Sequence, residues 1–124
     1  MTPLPAFSDL RRSGEGLSLA FVLGNDHVAF DGHFPATPIL PAVAQIDWAI
    51  RIARAHFSLP PHFNALRSLK FLRIVQPPVR LTLELARTDD GRGVTFTYAH
   101  EGAACSTGRI EFSDDAAGPD RSLL

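Results

Sequence analysis

Gly32-His33-Phe34-Pro35, then Pro38-Ile39-Leu40-Pro41, then the run from Ala42 to Phe57 decide the reading of this chain. Asp31 to Pro41 holds three prolines and cannot be regular structure. Each X-Pro pair pushes its first residue towards extended geometry, so the stretch is a stiff, ordered loop. Pro41 suits a first helical turn, where a missing N–H costs nothing. From Ala42 to Phe57 there is neither proline nor glycine, and the composition predicts a helix over that span. Val43, Ile46, Ile50, Ala53 and Phe57 recur at spacings of three and four, which marks one face. Ala44, Trp48, Ala49 and Ile52 make the first three turns apolar nearly all round, so that half is expected to be buried. Arg51 and Arg54 mark the wetter end, and Ser58-Leu59-Pro60-Pro61 stops the helix.

Strand-like alternation surrounds this helix. Leu17, Leu19, Phe21 and Leu23 alternate within Gly16 to Leu23, as in a half-buried strand. Gly24-Asn25-Asp26 is turn chemistry, and His27 to Phe30 reads as a short return strand, which predicts a hairpin. Beyond the helix come four further runs: Ala65 to Val75, Val79 to Ala86, Gly93 to Ala99 and Ala103 to Phe112. They are separated by Gln76-Pro77-Pro78, Thr88-Asp89-Asp90-Gly91 and Glu101-Gly102, which predicts an antiparallel meander. The polar tail from about Ser113 reads as a frayed end. One apolar helix and a run of strands predict a single α+β domain over residues 1–124, its curved antiparallel sheet wrapped around the helix. Such a sheet leaves an edge strand open, and edge-to-edge pairing of two copies is the expected remedy.

Composition bounds the function. The 124 residues suffice for a core without staples. A net charge of −1 argues against a nucleic-acid partner, whose footprint is usually a strongly basic face. No apolar run reaches the length of a membrane span, and Met1-Thr2-Pro3-Leu4-Pro5 has no secretory character. The single cysteine, Cys105, has no internal partner, which fits a reducing cytoplasm. Arg51, Arg54, Arg67, Lys70, Arg73 and Arg80 crowd the middle of the chain, either as a basic patch for an acidic protein or as scattered solvated charges.

Two side chains carry the chemical interest. On a neutral reading His33 is a surface-loop histidine or a core one bonded to backbone. Its other role is that of a base, since imidazole already titrates near neutrality. Phe34, Pro35 and Pro38 would give that ring an apolar, immobilised setting. Asp47 is either a carboxylate favoured by the helix dipole or a working acid. The dipole effect fades beyond the first turn, and an acid between Ile46 and Trp48 is expensive unless used or paired. To donate a proton it needs burial to prevail over the dipole. At Ala42 the interest lies in the backbone N–H, one of the unpaired donors of a helix start.

The segment from Gly32 to Asp47 resembles the signature of the hotdog-fold 3-hydroxyacyl-[acyl-carrier-protein] dehydratases, the FabA/FabZ group and the ApeI-like dehydratase of aryl polyene pathways. Their pattern is roughly G-H-F-P-x-x-P-[IVL]-x-P-G-V-x-x-x-[DE], and Ala42 here stands where the family has glycine. Asp47 at the acid position and Gln45-Ile46-Asp47-Trp48 resemble the ApeI-like branch. Lys70-Phe71 and the Pro77-Pro78 turn before Val79-Arg80-Leu81 resemble the family's later strands. The resemblance implies a hotdog fold and conversion of a 3-hydroxyacyl thioester on acyl carrier protein to a trans-2-enoyl thioester. His33 would be the base, the Ala42 N–H the oxyanion donor and Asp47 the acid. Phe30, Phe34, Pro35, Pro41, Val43 and Phe71 would contact substrate. The resemblance implies dimers with sites shared between protomers, and no metal or organic cofactor. It also implies an acidic carrier protein, for which Arg67, Lys70, Arg73 and Arg80 are docking candidates.

Other readings stay open. Hotdog domains also act as acyl thioesterases, and fold cannot decide between the two. Ala42 in place of glycine leaves room for a non-catalytic acyl-binding subunit of a heterodimeric dehydratase. Asp26, His27, Asp31 and His33 offer a weaker metal-site reading. Gln45 has either a site or a structural role. Cys105 is expected as a small core residue, and His56, His62 and His100 at the surface. Phe7, Phe30, Phe63, Phe71, Phe96 and Phe112 are expected in the core, with lining of an acyl channel the other reading for Phe30 and Phe71.

Overall fold

The computed structural model describes residues 3–27 and 38–115. Their elements in chain order are β1 (Phe7–Ser13), β2 (Gly16–Leu23), α1 (Ala42–His56), β3 (His62–Phe71), β4 (Val79–Arg87), β5 (Gly93–His100) and β6 (Ala103–Ser113). The strands form one antiparallel six-stranded sheet in the order β1-β2-β4-β5-β6-β3, with the helix on one face. This is the α+β hotdog arrangement.

Alternation explains why the sheet holds the helix. Leu17, Leu19, Phe21 and Leu23 of β2 point inward, as do Val79, Leu81, Leu83 and Leu85 of β4. Val94, Phe96 and Tyr98 of β5 join them, with Ile110 and Phe112 of β6. Together they enclose Ala44, Trp48, Ala49, Ile52 and Ala53 of α1 in one core cluster. Successive inward residues at a period of two, against helical residues at three and four, are what let a sheet bury a single helix stripe.

Four expectations need correction. The buried helix face is the stripe through Ala44, Gln45, Trp48, Ala49, Ile52 and Ala53. Val43 is 76% exposed, and Ile46 and Ile50 are only half-buried, so the face built on them is one notch round from the true one. The helix is therefore not buried all round even in its first turns. Second, β2 has β1 as a hairpin partner, joined through Gly14-Glu15, and β4 on its other side, while the expected return strand falls almost wholly outside the described residues. Residues 28–30 lie outside the described residues.

Third, only β4, β5 and β6 form a meander, and β3 crosses to the far edge beside β6. Both sides of β4 are taken by the fully alternating β2 and β5, while β3 offers no continuous apolar row. Its side chains are mostly exposed, as suits an edge strand. Fourth, β6 runs through Ser113 and Asp114 accepts from Arg92 at 3.2 Å, while the rest of the polar tail, residues 116–124, lies outside the described residues.

The two edges differ. β1 is polar, bulged between Ser8 and Arg11 with Asp9 at φ 58°, and Arg80 of β4 reaches the Asp9 carboxylate. That hydrogen-bonded guanidinium, aided by its charge, holds the Asp9 carboxyl below its ordinary value. A twisted, charged edge resists pairing with another chain. β3 and the segment after it instead expose Phe63, Leu69, Phe71, Leu72 and Ile74. Of the phenylalanines expected in the core, Phe96 and Phe112 are buried, Phe7, Phe63 and Phe71 are exposed, and Phe30 lies outside the described residues. Among the described residues no helix is long and apolar enough to cross a membrane.

Candidate functional site

Among the described residues, no side chain caps the helix start. Pro41 is the N-cap at φ −65°, ψ 149°, with no side-chain cap bond, and the first turn contains no acid. Gln45 N–H donates to the Pro41 carbonyl at 3.2 Å, the first bond of the helix. The N–H groups of Ala42, Val43 and Ala44 come before that bond and have no acceptor within the helix. Ala42 is exposed, Pro41 half-buried.

Asp47 sits one turn further on, on the outward stripe of Val43, Ile46 and Ile50 rather than on the buried face. Five residues at ~1.5 Å rise place it roughly 7.5 Å along the axis from Ala42, and helical side chains lean back towards the N-terminus. Its side chain is 27% exposed, and Arg51 Nη1 donates to Oδ2 at 3.4 Å. The expectation of a solitary buried acid is thus corrected: the carboxylate lies half in water beside a guanidinium four residues on. That i,i+4 spacing was visible in the sequence.

Behind the helix, Tyr98 is wholly buried and its hydroxyl donates to the Gln45 carbonyl at 2.7 Å. Burial pushes the Tyr98 phenol well above its ordinary value, and the Asp47 charge adds to the effect. Tyr98 therefore remains a proton-bearing donor. Ser106 Oγ donates to Gln45 Oε1 at 2.7 Å, and Gln45 Nε2 donates to the Leu40 carbonyl at 3.2 Å. Of the two roles considered for Gln45, the contacts are those of an anchor to sheet and backbone. Trp48 is fully buried against Phe21 and the His27 ring, with no hydrogen-bond acceptor for Nε1 among the described residues.

Cys105 is buried, as expected, but at an irregularity: Tyr98 faces Ser106 and Ala99 faces Ala104, leaving Cys105 as the extra residue. Its carbonyl accepts from Leu72 and Arg73 N–H at 2.8 and 3.2 Å, which folds the segment after β3 back onto β6. Burial pushes the thiol up, so it is a poor nucleophile. A cavity of about 470 Å³ opens here between Arg73, Ile74, Val75, Gln76, Val79, His100 and Cys105. It neighbours the helix start, because Leu40 N–H donates to the Val75 carbonyl at 2.8 Å. None of its lining residues except Arg73 was singled out from sequence for a functional role. Phe71, a substrate-contact candidate, is not part of that lining and is exposed on the β3 edge, as Val43 is on the helix.

The four docking candidates do not form one patch. Arg67 donates to Glu111 at 2.6 Å and Arg80 pairs with Asp9. These arginines lie on β3 and β4, three strand spacings or ~14 Å apart across the sheet. Lys70 and Arg73 form no ion pair among the described residues. His33, Phe30, Phe34 and Pro35 lie outside the described residues. So does Asp31, and among the described residues no three of His, Cys, Asp or Glu come together as metal ligands. His62 is exposed, and His56 and His100 are half-buried.

Residues 9–109 match the family profile described as ApeI-like, ApeI dehydratase. The 3-hydroxyacyl-[acyl-carrier-protein] dehydratase FabZ of Ligilactobacillus salivarius is 31% identical over 88 residues, 62% of this chain and 63% of that protein. The chain thus spans just under two thirds of that relative's length. Among solved structures, a chain of the dehydratase heterocomplex ApeI:P from Xenorhabdus doucetiae superposes with a TM-score of 0.77 at 27% identity. That match covers 86% of this chain and 96% of the other. The dehydratase domain of the CurF module of curacin polyketide synthase, at 12% identity and a TM-score of 0.67, shares the fold alone. It covers 97% of this chain and 47% of that one.

Proposed function

This chain belongs to the ApeI-like dehydratase family, and we propose that it removes water from a 3-hydroxyacyl thioester carried on acyl carrier protein. The observation that carries the reading is the outward stripe of α1. A single carboxylate, Asp47, sits in an apolar row with Val43, Ile46 and Ile50, next to a helix start that no side chain among the described residues caps. His33 takes the proton from C2, and the electron pair moves towards the thioester carbonyl oxygen, held by the Ala42 N–H. The C3–oxygen bond breaks as Asp47, acting in its protonated carboxylic-acid form, gives that proton to the leaving hydroxyl, releasing water and the trans-2-enoyl thioester. Charge develops on the carbonyl oxygen only in the transition state, so an unspent N–H there speeds the step rather than merely binding substrate.

The stripe faces outward and β3 exposes an apolar edge, so a second copy completes the site, with His33 of one protomer meeting Asp47 of the other. Fatty-acid or aryl polyene biosynthesis in the cytoplasm is the setting this chemistry fits, without metal or organic cofactor. Lys70 and Arg73 are the cations left for an acidic carrier protein. Reversing both to Glu is expected to raise KM for carrier-bound substrate roughly tenfold. A short carrier-free thioester should be unaffected, and equal effects on the two substrates would count against docking there.

Ala42→Pro tests the reading. Proline is tolerated at the first helical position and removes only the N–H, while Pro41 at ψ 149° already has the geometry a following proline demands. The variant should stay folded and lose about 10²–10³ in kcat. Unchanged turnover would remove Ala42 from the mechanism. Release of free thiol by the parent chain would instead indicate a thioesterase. A second reading, a non-catalytic subunit, is favoured by the ApeI:P heterocomplex as a structural neighbour and by Ala42 in place of the family glycine. No dehydration by the parent chain alone would support it.

A further inference from the structure

We infer that Gln45 is a positioning residue that aims the Ala42 N–H through the Leu40 carbonyl. This rests on the oxyanion role given to Ala42 above. Gln45 and Ser106 are the buried polar residues among those described, at 3% and 0% exposure. An amide in such surroundings is costly unless its hydrogen bonds are made, and a methionine would fill the same volume without that cost. Here both ends of the amide are used: Oε1 accepts from Ser106 on β6, and Nε2 donates to Leu40.

The Leu40 unit is consequently held on two sides, its N–H by the Val75 carbonyl and its C=O by Gln45. From that fixed carbonyl to the Ala42 N–H there is little freedom left. The Leu40–Pro41 peptide is planar, and the Pro41 ring fixes φ. Only Pro41 ψ, at 149°, remains to point the Ala42 N–H. A Ser or Asp cap would also have fixed the helix start, but by consuming one of its N–H donors. The Gln45 arrangement fixes it from the carbonyl side and consumes none of those donors. Tyr98, bonded to the Gln45 backbone carbonyl, pins the same residue to β5.

The test is Gln45→Met combined with Ser106→Ala, which keeps the volume and leaves no stranded hydroxyl. Backbone order parameters from NMR relaxation are measured at Ala42, Val43 and Ile52 of the free chain, with kcat and KM measured alongside. Ala42 and Val43 are expected to fall from about 0.85 to below about 0.6 while Ile52 stays rigid. Turnover should drop roughly ten- to a hundredfold with KM within about twofold. Unchanged order at Ala42 overturns the inference. So does loss of order at Ile52 as well, which would mean a merely structural role, and so does lost order at Ala42 with unchanged kcat. If the parent chain shows no turnover, the function proposed above fails, and the order parameter at Ala42 decides the positioning by itself.

Discussion

Asp47→Asn is expected to lower dehydration by about 10²–10⁴, the usual worth of a positioned proton donor, with little loss of stability. The substitution keeps the side-chain shape and removes only the exchangeable acid. What the fold loses is one Arg51–Asp47 pair at 3.4 Å, with side chains 33% and 27% exposed. Water screens such a pair, and its contribution is under about 1 kcal/mol. Activity and stability should therefore separate cleanly. Turnover within a few-fold of the parent would leave Asp47 as half of a helix-surface ion pair. Arg51 bears on the result, since its guanidinium pairs with the carboxylate that remains once Asp47 has given up its proton.

Trp48→Ala should be the costliest single change to the fold, at roughly 3–5 kcal/mol. The side chain is wholly buried between the sheet and the helix, stacked at a tilt on Phe21 with ring centroids 5.5 Å apart. Because Nε1 finds no acceptor among the described residues, the effect is one of apolar volume rather than of a hydrogen bond. Trp48→Phe, which keeps most of that volume, should accordingly cost much less. Urea unfolding followed by circular dichroism measures both, since the chain contains no other tryptophan to report by fluorescence. Equal losses in the two variants would mean that the indole N–H has a partner after all.

Much of the fold could be read from side-chain periodicity, and the parts that could not share a physical reason. β2, β4, β5 and β6 each bury one row against the helix, so period two survives in their sequences. β1 buries no row: Ser8, Asp9, Arg11 and Arg12 are exposed edge residues, and only the Gly14-Glu15 turn betrays it. β3 showed its apolar content but not its place, because adjacency in sequence is a tendency that β2 overrode by pairing with β4.

The helix is plain in the sequence, whereas its buried face is not, because both stripes are apolar and only the sheet distinguishes them. At the candidate site the same limit holds. Asp47 and the bare helix start were legible from proline placement and a lone acid, and Arg51 lay at readable helical spacing. The contacts of Gln45 with Ser106 and Tyr98 span 61 and 53 residues, and the Cys105 irregularity depends on pairing with β5. Nothing local in the sequence encodes them.

The proposed dehydration depends on His33 of one protomer working with Asp47 of its partner. Mixing inactive His33→Ala and Asp47→Asn chains, then unfolding and refolding them together, tests this most directly. Random pairing makes about half the dimers mixed, each with one intact site and one doubly altered, so roughly a quarter of parental dehydration should return. Recovery near that level supports the shared site, and a mixture as inactive as its two components would contradict it.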